Sequence, residues 1–584
     1  MEPDLYISKI EFSNQKLELK NDSIVVFVGP NNAGKSQCLR DIFELLGDAE
    51  SKTIVVKKLG VHPPTSSLDA LDGKTCGVNI AEYLAAHFKK NGRFYQGLDV
   101  NVHESCVSDI TGLSYGKLRN VFAAFARTDF RLSLCNPVPN IDDNEIAQHP
   151  LHQLLREQDV EEELSRRFHE AFGYHVQPLR NSVKKTPLKC FTADIPMGSN
   201  PTQSSRDKFN DYNKKLSEQS SLHEQGDGMR SFAGLLLGLV LKRIRTHLLD
   251  EPESFLHPPQ AYLAGKMIAD MLGDDRQAFI STHSLDLVKG LLDAAPSRIQ
   301  LVRITRTEDV NRVTFPSQSS ILGLWKNSLL RFSNIMDGLF HARMVLCESD
   351  SDCKLYQAVA VASSEFSVPG KEMYFTHCGG KFRCHKILPT LRSLGLDVIT
   401  VVDFDIFNDK KVLDVLAESA GVAKGALDND YQAFENGLPK AKTDVDIATF
   451  KNEVNRILHE QTGGLTNTMI RKIRDVMRPL TVWDELKAKG LSVIADAQAK
   501  GAAERMMAEL SKHGVYVVPV GQLESFISEM NSTHGPAWAL GILEKHPDVE
   551  NDKVYERVVG FMKTWKFGVV NNLRKPTTRG GVGA

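Results

Sequence analysis

The chain opens with a hydrophobic pattern that predicts β-strands. The stretch ISKIEFSNQKLELKNDSIVVFVG, residues 7–29, alternates apolar and polar positions and then becomes continuously apolar. Alternation is typical of half-exposed edge strands, and a continuous apolar run bounded by a turn is typical of a buried strand. We therefore expect edge strands that lead into one buried strand ending near Val28.

Later segments alternate between helix and strand patterns. Residues 150–172 have helical spacing with dense charge, which suggests an exposed helical arm or association surface. An apolar helix is predicted from Gly228, and short apolar runs predict buried strands at 278–281, 344–347, 398–402 and 515–518. Between about residues 47 and 215 the pattern is mixed.

Length and pattern together predict two α/β domains. A chain of 584 residues is too long for one compact core. The predicted organisation is residues 1–320 as a first domain with a helical insertion at about 130–215, 321–340 as a linker region, 341–570 as a second domain with a helical insert at about 410–512, and 571–584 as a flexible tail.

Composition narrows the class of protein. The 71 Lys and Arg residues nearly balance the 73 Asp and Glu residues, so a surface that binds DNA must be local. The most apolar helix meets Lys242 too early to cross a bilayer, and no signal peptide is evident, so we expect a cytoplasmic protein without a membrane partner. The nine cysteines form no C-x-x-C pair, so reduced thiols are expected. The cluster HCGGKFRCH, residues 377–385, has ligands too closely spaced for a good tetrahedral zinc site.

A phosphate-binding loop follows the first buried strand. The sequence GPNNAGKS, Gly29 to Ser36, fits G-x-x-x-x-G-K-[ST] between a strand and a helix. Backbone N–H groups of such a loop surround phosphate oxygens at a helix N-terminus. Lys35 is expected to reach the β- and γ-phosphates of ATP, and Ser36 to bind Mg²⁺. The cofactor-binding residues predicted here are Gly29, Asn31, Asn32, Gly34, Lys35 and Ser36.

Further ATPase residues follow in LLDEPE and AFISTHS. Asp250 is expected to hold Mg²⁺, directly or through water, and Glu251 to polarise the attacking water. With His283 and GDGMRS at residues 226–231, this set resembles the ABC-type ATPases of the RecF, SMC and OLD kind. The resemblance implies that Gly228 and Ser231 touch ATP bound by a second subunit, hence a homo-oligomer, a dimer or tetramer joined through ATPase domains.

The sequence departs from that family in two places. Arg245, Thr246 and His247 precede only two apolar residues before Asp250, and the signature reads GDGMR. Both departures favour nucleotide binding over rapid turnover. No glutamine can be assigned to the family's Q-loop.

Carboxylates cluster at the ends of two predicted strands of the second domain. Glu348 and Asp352 follow MVLC, while Asp403 and Asp405 follow VITVV. Parallel strands end at a common sheet edge, so these groups are expected to meet there. All-oxygen ligation suits Mg²⁺ or Mn²⁺. Solvated strand-end acids are the alternative.

The order E-x-x-x-D, a Gly379-Gly380-Lys381 turn, then D-x-D resembles the Toprim domain of topoisomerases, bacterial primases and OLD nucleases, with Ser349 in place of a glycine. An ABC ATPase followed by Toprim resembles the OLD family of ATP-dependent endonucleases. That resemblance implies a further acid, Glu524, and a catalytic lysine, Lys563 or Lys566. It also implies hydrolysis of DNA phosphodiesters by two metal ions.

Three functions are compared. The preferred one is an OLD-like endonuclease, which by resemblance alone would act in anti-phage defence, as in Gabija-like and retron-associated systems, beside a helicase or a reverse transcriptase with its RNA–DNA product. The main alternative is a RecF/SMC-like ATP-driven clamp or repair scaffold whose Toprim fold does not cut. An ABC transporter subunit is disfavoured by the large acidic second domain.

Overall fold

The computed structural model describes residues 5–567 apart from several segments. These are 63–73, 76–77, 98–99, 107–113, 143–144, 146, 148, 181, 193–204, 242–243, 308, 327–333, 364–365, 367–371, 439–446, 460–463, 465, 478–481 and 528–534. The expected tail, 571–584, lies outside the described residues. The chain divides into two compact units, residues 1–331 and 332–584. None of the helices described is both long and apolar enough to span a bilayer.

The first unit mixes strands and helices throughout. Its strands are β1 Tyr6–Phe12, β2 Lys16–Glu18, β3 Ile24–Val28, β4 Val56–His62, β5 Lys74–Thr75, β6 Val78–Asn79, β7 Lys89–Asn91, β8 Phe94–Gly97, β9 Val100–His103, β10 Ala123–Ala126, β11 Val138–Pro139, β12 His175–Pro178, β13 Lys185–Thr186, β14 Leu188–Phe191, β15 Ser220–Ser221, β16 Thr246–Asp250, β17 Gln277–Ser281, β18 Ile299–Thr307 and β19 Val310–Thr314. Its helices are α1 Lys35–Gly47, α2 Ile80–His87, α3 Arg119–Phe122, α4 Thr128–Ser133, α5 Pro150–Arg156, α6 Gln158–Phe172, α7 Ser205–Ser217, α8 Asp227–Val240, α9 Pro258–Leu272, α10 Leu285–Ala294 and α11 Gln318–Lys326.

A six-stranded sheet forms the centre of the first unit, in the order β10-β16-β17-β3-β18-β19. All neighbours pair in parallel except β18 and β19. Every residue of β3 is buried, which confirms the buried strand predicted from its apolar run. The carboxyl ends of β10, β16, β17 and β3 therefore share one edge, where α/β proteins bind ligands.

The opening strands form a separate antiparallel sheet in the order β2-β1-β4. β2 is an edge strand as predicted, but β1 is the central strand of this sheet because β4 pairs with its other side. The segment 150–172 is helical, but it is not an exposed arm. Leu164 and Phe168 of α6 are buried, and the Phe168 ring lies 6.3 Å from that of Phe232 in α8. The expected helical insertion at about 130–215 also contains strands β11 to β14, so it is a mixed region.

The second unit is built on a four-stranded parallel sheet. Its strands are β20 Arg343–Cys347, β21 Met373–His377, β22 Val398–Val402 and β23 Val515–Val517, in the order β21-β20-β22-β23. Its helices are α12 Asp350–Ala362, α13 Lys381–Ser393, α14 Lys410–Ala420, α15 Asp428–Asn436, α16 Ile447–His459, α17 Asn467–Met477, α18 Val482–Lys489, α19 Ala497–Lys512, α20 Pro536–Lys545 and α21 Glu556–Met562. Helices α14 to α19 separate β22 from β23, where a helical insert was predicted.

β21 lies on one side of β20 in the sheet, and β22, the next strand in the chain, lies on the other side of β20. This change of direction makes the carboxyl end of β20 the switch point of the sheet, the place where open α/β sheets hold their ligands. The linker expected at 321–340 is divided between the units: most of α11 lies in its first part, within the first unit, and a 3-10 helix over Asn334–Phe340 lies in the second unit.

Candidate functional site

The loop after β3 has the backbone conformation that a phosphate-binding loop requires. Gly29 has a φ of 143°, and a Cβ atom there would lie 2.0 Å from the carbonyl oxygen of Ile304. Gly34 has a φ of 99° and caps α1, while Asn32 adopts a φ of 60°. Asn31 and Asn32 are exposed. The glycines are thus needed for the turn itself, and α1 begins where bound phosphate would benefit from its dipole.

Lys35 lies buried inside this loop. Its Nζ donates to the carbonyl oxygens of Gly29, at 2.8 Å, and Pro30, at 2.7 Å. Burial lowers the pKa of Lys35 to about 8, although the charges of Glu251, Glu253 and Asp250 oppose that shift. Lys35 therefore remains mainly protonated at neutral pH and close to the acids that follow β16.

The predicted acids and histidine meet opposite Lys35. Asp250 ends β16 and accepts a hydrogen bond from the hydroxyl of Ser281 at the end of β17. Glu251 adopts a φ of 44°, and its carboxylate lies 3.4 Å from Nε2 of His283. Burial and the charge of Lys35 lower the pKa of His283, so its neutral form is favoured at neutral pH. The Glu251 carboxylate and the neutral His283 imidazole thus lie beside the phosphate loop, where either could accept a proton from water.

Strand β16 also explains the unusual residues before Asp250. Thr246 and His247 are buried, and the hydroxyl of Thr246 lies 3.2 Å from that of Tyr115. A polar residue is tolerated inside the sheet because it finds a hydrogen-bond partner. The departure from an all-apolar strand therefore leaves the position of Asp250 intact.

Two residues beside the phosphate loop were not predicted from the sequence. Glu253 accepts hydrogen bonds from the Thr282 hydroxyl, at 2.7 Å, and the His283 backbone, at 2.8 Å. Arg131 of α4 is fully buried and donates to the carbonyl oxygens of Asp250, at 2.8 Å, and Glu251, at 2.9 Å. A charged residue among apolar neighbours in RLSLC is the signal that could have identified Arg131.

Arg131 should position the acidic turn for ATP hydrolysis. We expect Arg131→Met to lower the kcat of ATP hydrolysis by about 10-fold or more, since outer partners of catalytic groups contribute on that scale. The turn would lose the two charged hydrogen bonds that hold Glu251 at positive φ. ATP affinity should change much less, because Lys35 and the loop are untouched. Steady-state kinetics with a nucleotide-binding titration measures both.

Arg127, exposed in the same loop, offers the matched control. Arg127→Met should retain wild-type turnover, and Arg131→Lys should recover only part of it because a lysine lacks the planar fork. Equal kcat values for the two methionine variants would show that Arg131 has no positioning role.

The residues after Gly226 differ from expectation. Ser231 is fully buried in α8, so its hydroxyl cannot touch a nucleotide held by another subunit in this arrangement. Helix α8 is apolar around most of its circumference, which draws that turn into the core. Gly228 is half-buried, and Gly226 and Asp227 at the helix start are exposed. The strand next to β16, β10, is followed by Arg127 and Thr128, and no glutamine occurs there.

The two leading acids of the second unit are adjacent. Glu348 follows β20 and Asp403 follows β22, and the Asp403 backbone N–H donates to Glu348 Oε1 over 3.0 Å. Burial and the charges of Asp405 and Asp352 raise the pKa of Glu348 to about 7. Burial and the charge of Glu348 raise the pKa of Asp403 well above its ordinary value. Both carboxylates are held where a cation would favour their charged forms.

Three other predicted acids lie nearby with partners of their own. Asp352 completes a capping box with Ser349 at the start of α12. Asp405 pairs with the ammonium groups of Lys381, at 2.8 Å, and Lys487, at 3.1 Å. Glu524 Oε1 accepts a hydrogen bond from the Gly535 backbone over 2.9 Å.

Two lysines that were not predicted as catalytic lie at this edge, and the prediction for Lys563 or Lys566 stays a prediction. The partners of Asp405 are Lys381, from the glycine turn, and Lys487, from α18. Lys563 is exposed just after α21, and the backbone of Lys566 hydrogen-bonds the hydroxyl of Tyr516 in β23. Lys487 was not foreseen because it lies 82 positions from Asp405 in the chain.

The expected metal set is not formed. Within the described part of the chain, no group of three or more His, Cys, Asp or Glu side chains is arranged to hold a metal ion. The reason is visible in the partners just given, since Asp352, Asp405 and Glu524 are each engaged by protein donors. Glu348 and Asp403 remain as an adjacent pair of oxygen donors.

The expectation of reduced thiols is also corrected at one place. Cys378 and Cys384 form a disulfide across the turn that contains Gly379 and Gly380. Both glycines have positive φ, 74° and 112°, so the turn is sharp enough to bring the two thiols together. This pair occupies the segment that was considered for zinc.

Part of the first unit matches a known family. Residues 150–289 match the family described as "AAA domain, putative AbiEii toxin, Type IV TA system". This range includes Asp250, Glu251 and His283. Over this range the first unit is similar to an AAA-type domain. No curated protein matches the sequence.

Solved structures show a distant likeness to part of the chain. An SMC head bound to the C-winged helix domain of ScpA is 12% identical with a TM-score of 0.31, over 55% of this chain and 99% of that chain. The SMC head domain from Thermotoga maritima is 13% identical with a TM-score of 0.26, over 53% and 99%. The ADP conformation of an ATP-binding cassette of an ABC transporter is 12% identical with a TM-score of 0.25, over 56% and 97%.

Proposed function

We propose that the chain is an ATP-binding and ATP-hydrolysing DNA endonuclease whose second unit is a Toprim domain. The observation that supports this most is the pairing of Glu348 and Asp403 at the switch point of a parallel sheet. The backbone N–H of Asp403 donates to Glu348 Oε1 over 3.0 Å, and the charge of Glu348 raises the pKa of the Asp403 carboxyl, a repulsion that a bound cation would relieve. A scaffold surface would not need this arrangement.

The donor set fits Mg²⁺ or Mn²⁺. Mg²⁺ is commonly bound through one or two carboxylates, with water and substrate phosphate completing its shell. Glu348 and Asp403 would hold the ion, and Asp352 and Glu524 would orient the surrounding loops. When bound, the ion would lower the pKa of a coordinated water below that of bulk water and stabilise charge on a phosphate.

The ATPase domain would control access to this site. Lys35 and the phosphate loop bind ATP, Ser36 and Asp250 hold its Mg²⁺, and Glu251 with His283 serves hydrolysis. Association of ATPase domains into a dimer or tetramer would follow the behaviour of similar ATPases. Anti-phage defence, with a helicase or a reverse transcriptase and its RNA–DNA product as partner, agrees with the toxin-type family description.

The test of this function is metal-dependent cleavage of plasmid DNA across a pH series. Because burial raises the pKa of Glu348 to about 7, the metal must compete with a proton below neutrality. We expect cleavage at limiting Mg²⁺ to rise as pH increases from 6 to 8, by up to about 10-fold per unit for one displaced proton. EDTA should abolish cleavage.

Saturating Mn²⁺ offers an internal control. Because more metal competes better with the proton on Glu348, the rise of the cleavage rate with pH should move to lower pH. A wild-type protein that leaves supercoiled DNA intact with both metals and at every pH would contradict the nuclease function.

The alternative, a RecF/SMC-like clamp that does not cut, is favoured by the two lysines that already neutralise Asp405. It predicts DNA retention that depends on ATP without any nicking.

A further inference from the structure

The helix α18, in the insert between β22 and β23, ends at the acidic edge of the second unit. Its Lys487 donates to Asp405 Oδ2 over 3.1 Å, while Lys381 lies 2.8 Å from Oδ1 of the same carboxylate. The side chain of Lys381 is 15% exposed, whereas that of Lys487 is 47% exposed. Lys381 therefore serves the interior of the site, and Lys487 faces the solvent from which DNA would arrive.

The backbone around Lys487 is fixed by close contacts. Gly521 has a φ of 107°, and a Cβ atom there would lie 2.2 Å from the carbonyl oxygen of Lys487. Gly490, just after α18, would place a Cβ atom 2.1 Å from the carbonyl oxygen of Pro519. The hydroxyl of Ser525 donates to Ala488 O over 2.7 Å. Only glycine permits this approach, so α18 is seated on the loop that carries Glu524.

The same loop is joined to the acids after β22. The carbonyl oxygen of Gly521 accepts a hydrogen bond from Phe404 N over 2.7 Å, and Phe404 stands between Asp403 and Asp405. One continuous set of backbone contacts therefore links Lys487 to both aspartates. The backbone of Lys487 is therefore held beside this edge, and its side chain reaches Asp405 from there.

The charges at the acidic edge of the second unit limit how many divalent cations can bind there. A second divalent ion beside Asp405 would face two ammonium groups, and like charges at such distances repel strongly. Among the described residues, no lysine or arginine forms an ion pair with Glu348 or Asp403, and the charges of Lys381 and Lys487 act on these two carboxyls only from a longer distance than on Asp405. The edge therefore has room for one metal ion at one end and already contains a fixed cation at the other.

Resting on the nuclease function, we propose that Lys487 is a catalytic residue that contacts the scissile phosphate, and that the site uses one divalent ion instead of two. Water adds its oxygen to phosphorus, the bond to the leaving sugar oxygen breaks, and the water's protons pass to that oxygen and to solvent. The products are a phosphomonoester end and a hydroxyl end. Lys487 stabilises the negative charge that develops on the non-bridging oxygens.

The experiment compares Lys487→Gln, Lys487→Arg and Lys489→Gln, the last being an exposed lysine of the same helix. Lys487→Gln should lower the cleavage rate by about 10²-fold, Lys487→Arg should restore part of it, and Lys489→Gln should cleave like wild type. Binding of the protein to a fluorescent DNA duplex is also measured in EDTA at several salt concentrations. For Lys487→Gln, the slope of log binding constant against log salt concentration should be smaller in magnitude by about one, the value for one lost phosphate contact.

Mn²⁺ counting by electron paramagnetic resonance, without nucleotide, gives a readout independent of cleavage. A single bound ion per protomer, lost in Asp403→Asn, is expected; two ions would overturn the one-metal site. Wild-type cleavage by Lys487→Gln, or lost cleavage with an unchanged salt slope, would overturn the role of Lys487. If wild type itself does not cut, the nuclease function fails, and the salt slope still decides whether Lys487 contacts phosphate.

Discussion

Asp403→Asn is expected to lower DNA cleavage by about 10³-fold or more while leaving the protein folded. Asparagine keeps the size of the side chain and the backbone N–H that donates to Glu348, but it removes one of the two charged donors available to a metal ion. Nicking of supercoiled plasmid in Mg²⁺, followed over time on gels, measures the loss. Raising the Mg²⁺ concentration should not restore the rate.

The variant should also be slightly more stable. Because burial and Glu348 raise the pKa of Asp403 in the folded state, its ionised form weakens folding, and stability is lost as pH rises through that pKa. At pH 8 asparagine removes this repulsion, so we expect the Tm to rise by about 2 °C, and by less at pH 5. Differential scanning calorimetry at both pH values separates a lost metal ligand from a damaged fold.

Asp350 supplies the matched control for this substitution. It is exposed at the start of α12, two residues from Glu348, and its carboxylate pairs with Lys354 at 2.7 Å. Asp350→Asn should cleave DNA like the wild type. If Asp403→Asn cleaves as fast as Asp350→Asn, the assignment of the site to the edge formed by β20 and β22 is wrong.

The parts of each site that the sequence predicts are those determined by local chemistry. Gly29 and Gly34 are required by the backbone of the loop, so their spacing identifies it without any tertiary information. Glu348 and Asp403 meet because parallel strands end at one edge, a rule that needs only the strand pattern. Asp250 and His283 follow neighbouring strands β16 and β17 for the same reason.

The parts that could not be predicted depend on packing between distant segments. Arg131 reaches Asp250 across 119 positions, and Lys487 reaches Asp405 across 82. The apolar neighbours of Arg131 indicate only that it is buried and do not name its partner, and Lys487 has no local signal because a lysine at the end of a helix usually complements the helix dipole. Ser231 was assigned by motif order alone, whereas its burial follows from the apolar surface of α8.

These two classes of residue have different consequences for function. Local motifs supply the charged groups, and long-range contacts determine which groups remain available to a ligand. Five acids reach one edge of the second unit, but hydrogen bonds and ion pairs from Ser349, Gly535 and two lysines leave Glu348 and Asp403 as the adjacent pair. In the proposed one-metal site, the number of ions would follow from the packing of the helical insert as well as from the acidic motifs.

Lys35→Met is expected to weaken ATP binding by about 10²-fold, equivalent to about 3 kcal/mol. Methionine retains the apolar stem that fills the loop, so the change removes the ammonium group with little loss of packing. In the structure this group donates to the carbonyl oxygens of Gly29 and Pro30, and contact with the phosphates of ATP would require it to turn from them. Titration with a fluorescent ATP analogue measures the loss.

The pH dependence distinguishes a phosphate contact from a structural role for Lys35. Because burial lowers the pKa of Lys35 to about 8, wild-type ATP affinity should fall between pH 7 and pH 9 as the ammonium group loses its proton. Lys35→Met should show no such fall, and Lys58→Ala, an exposed change on β4, should match the wild type. An unchanged affinity in Lys35→Met would mean that the loop binds something other than nucleotide. Bound phosphate should in turn raise the pKa of the ammonium group, so the wild-type midpoint should move to higher pH when ATP is saturating.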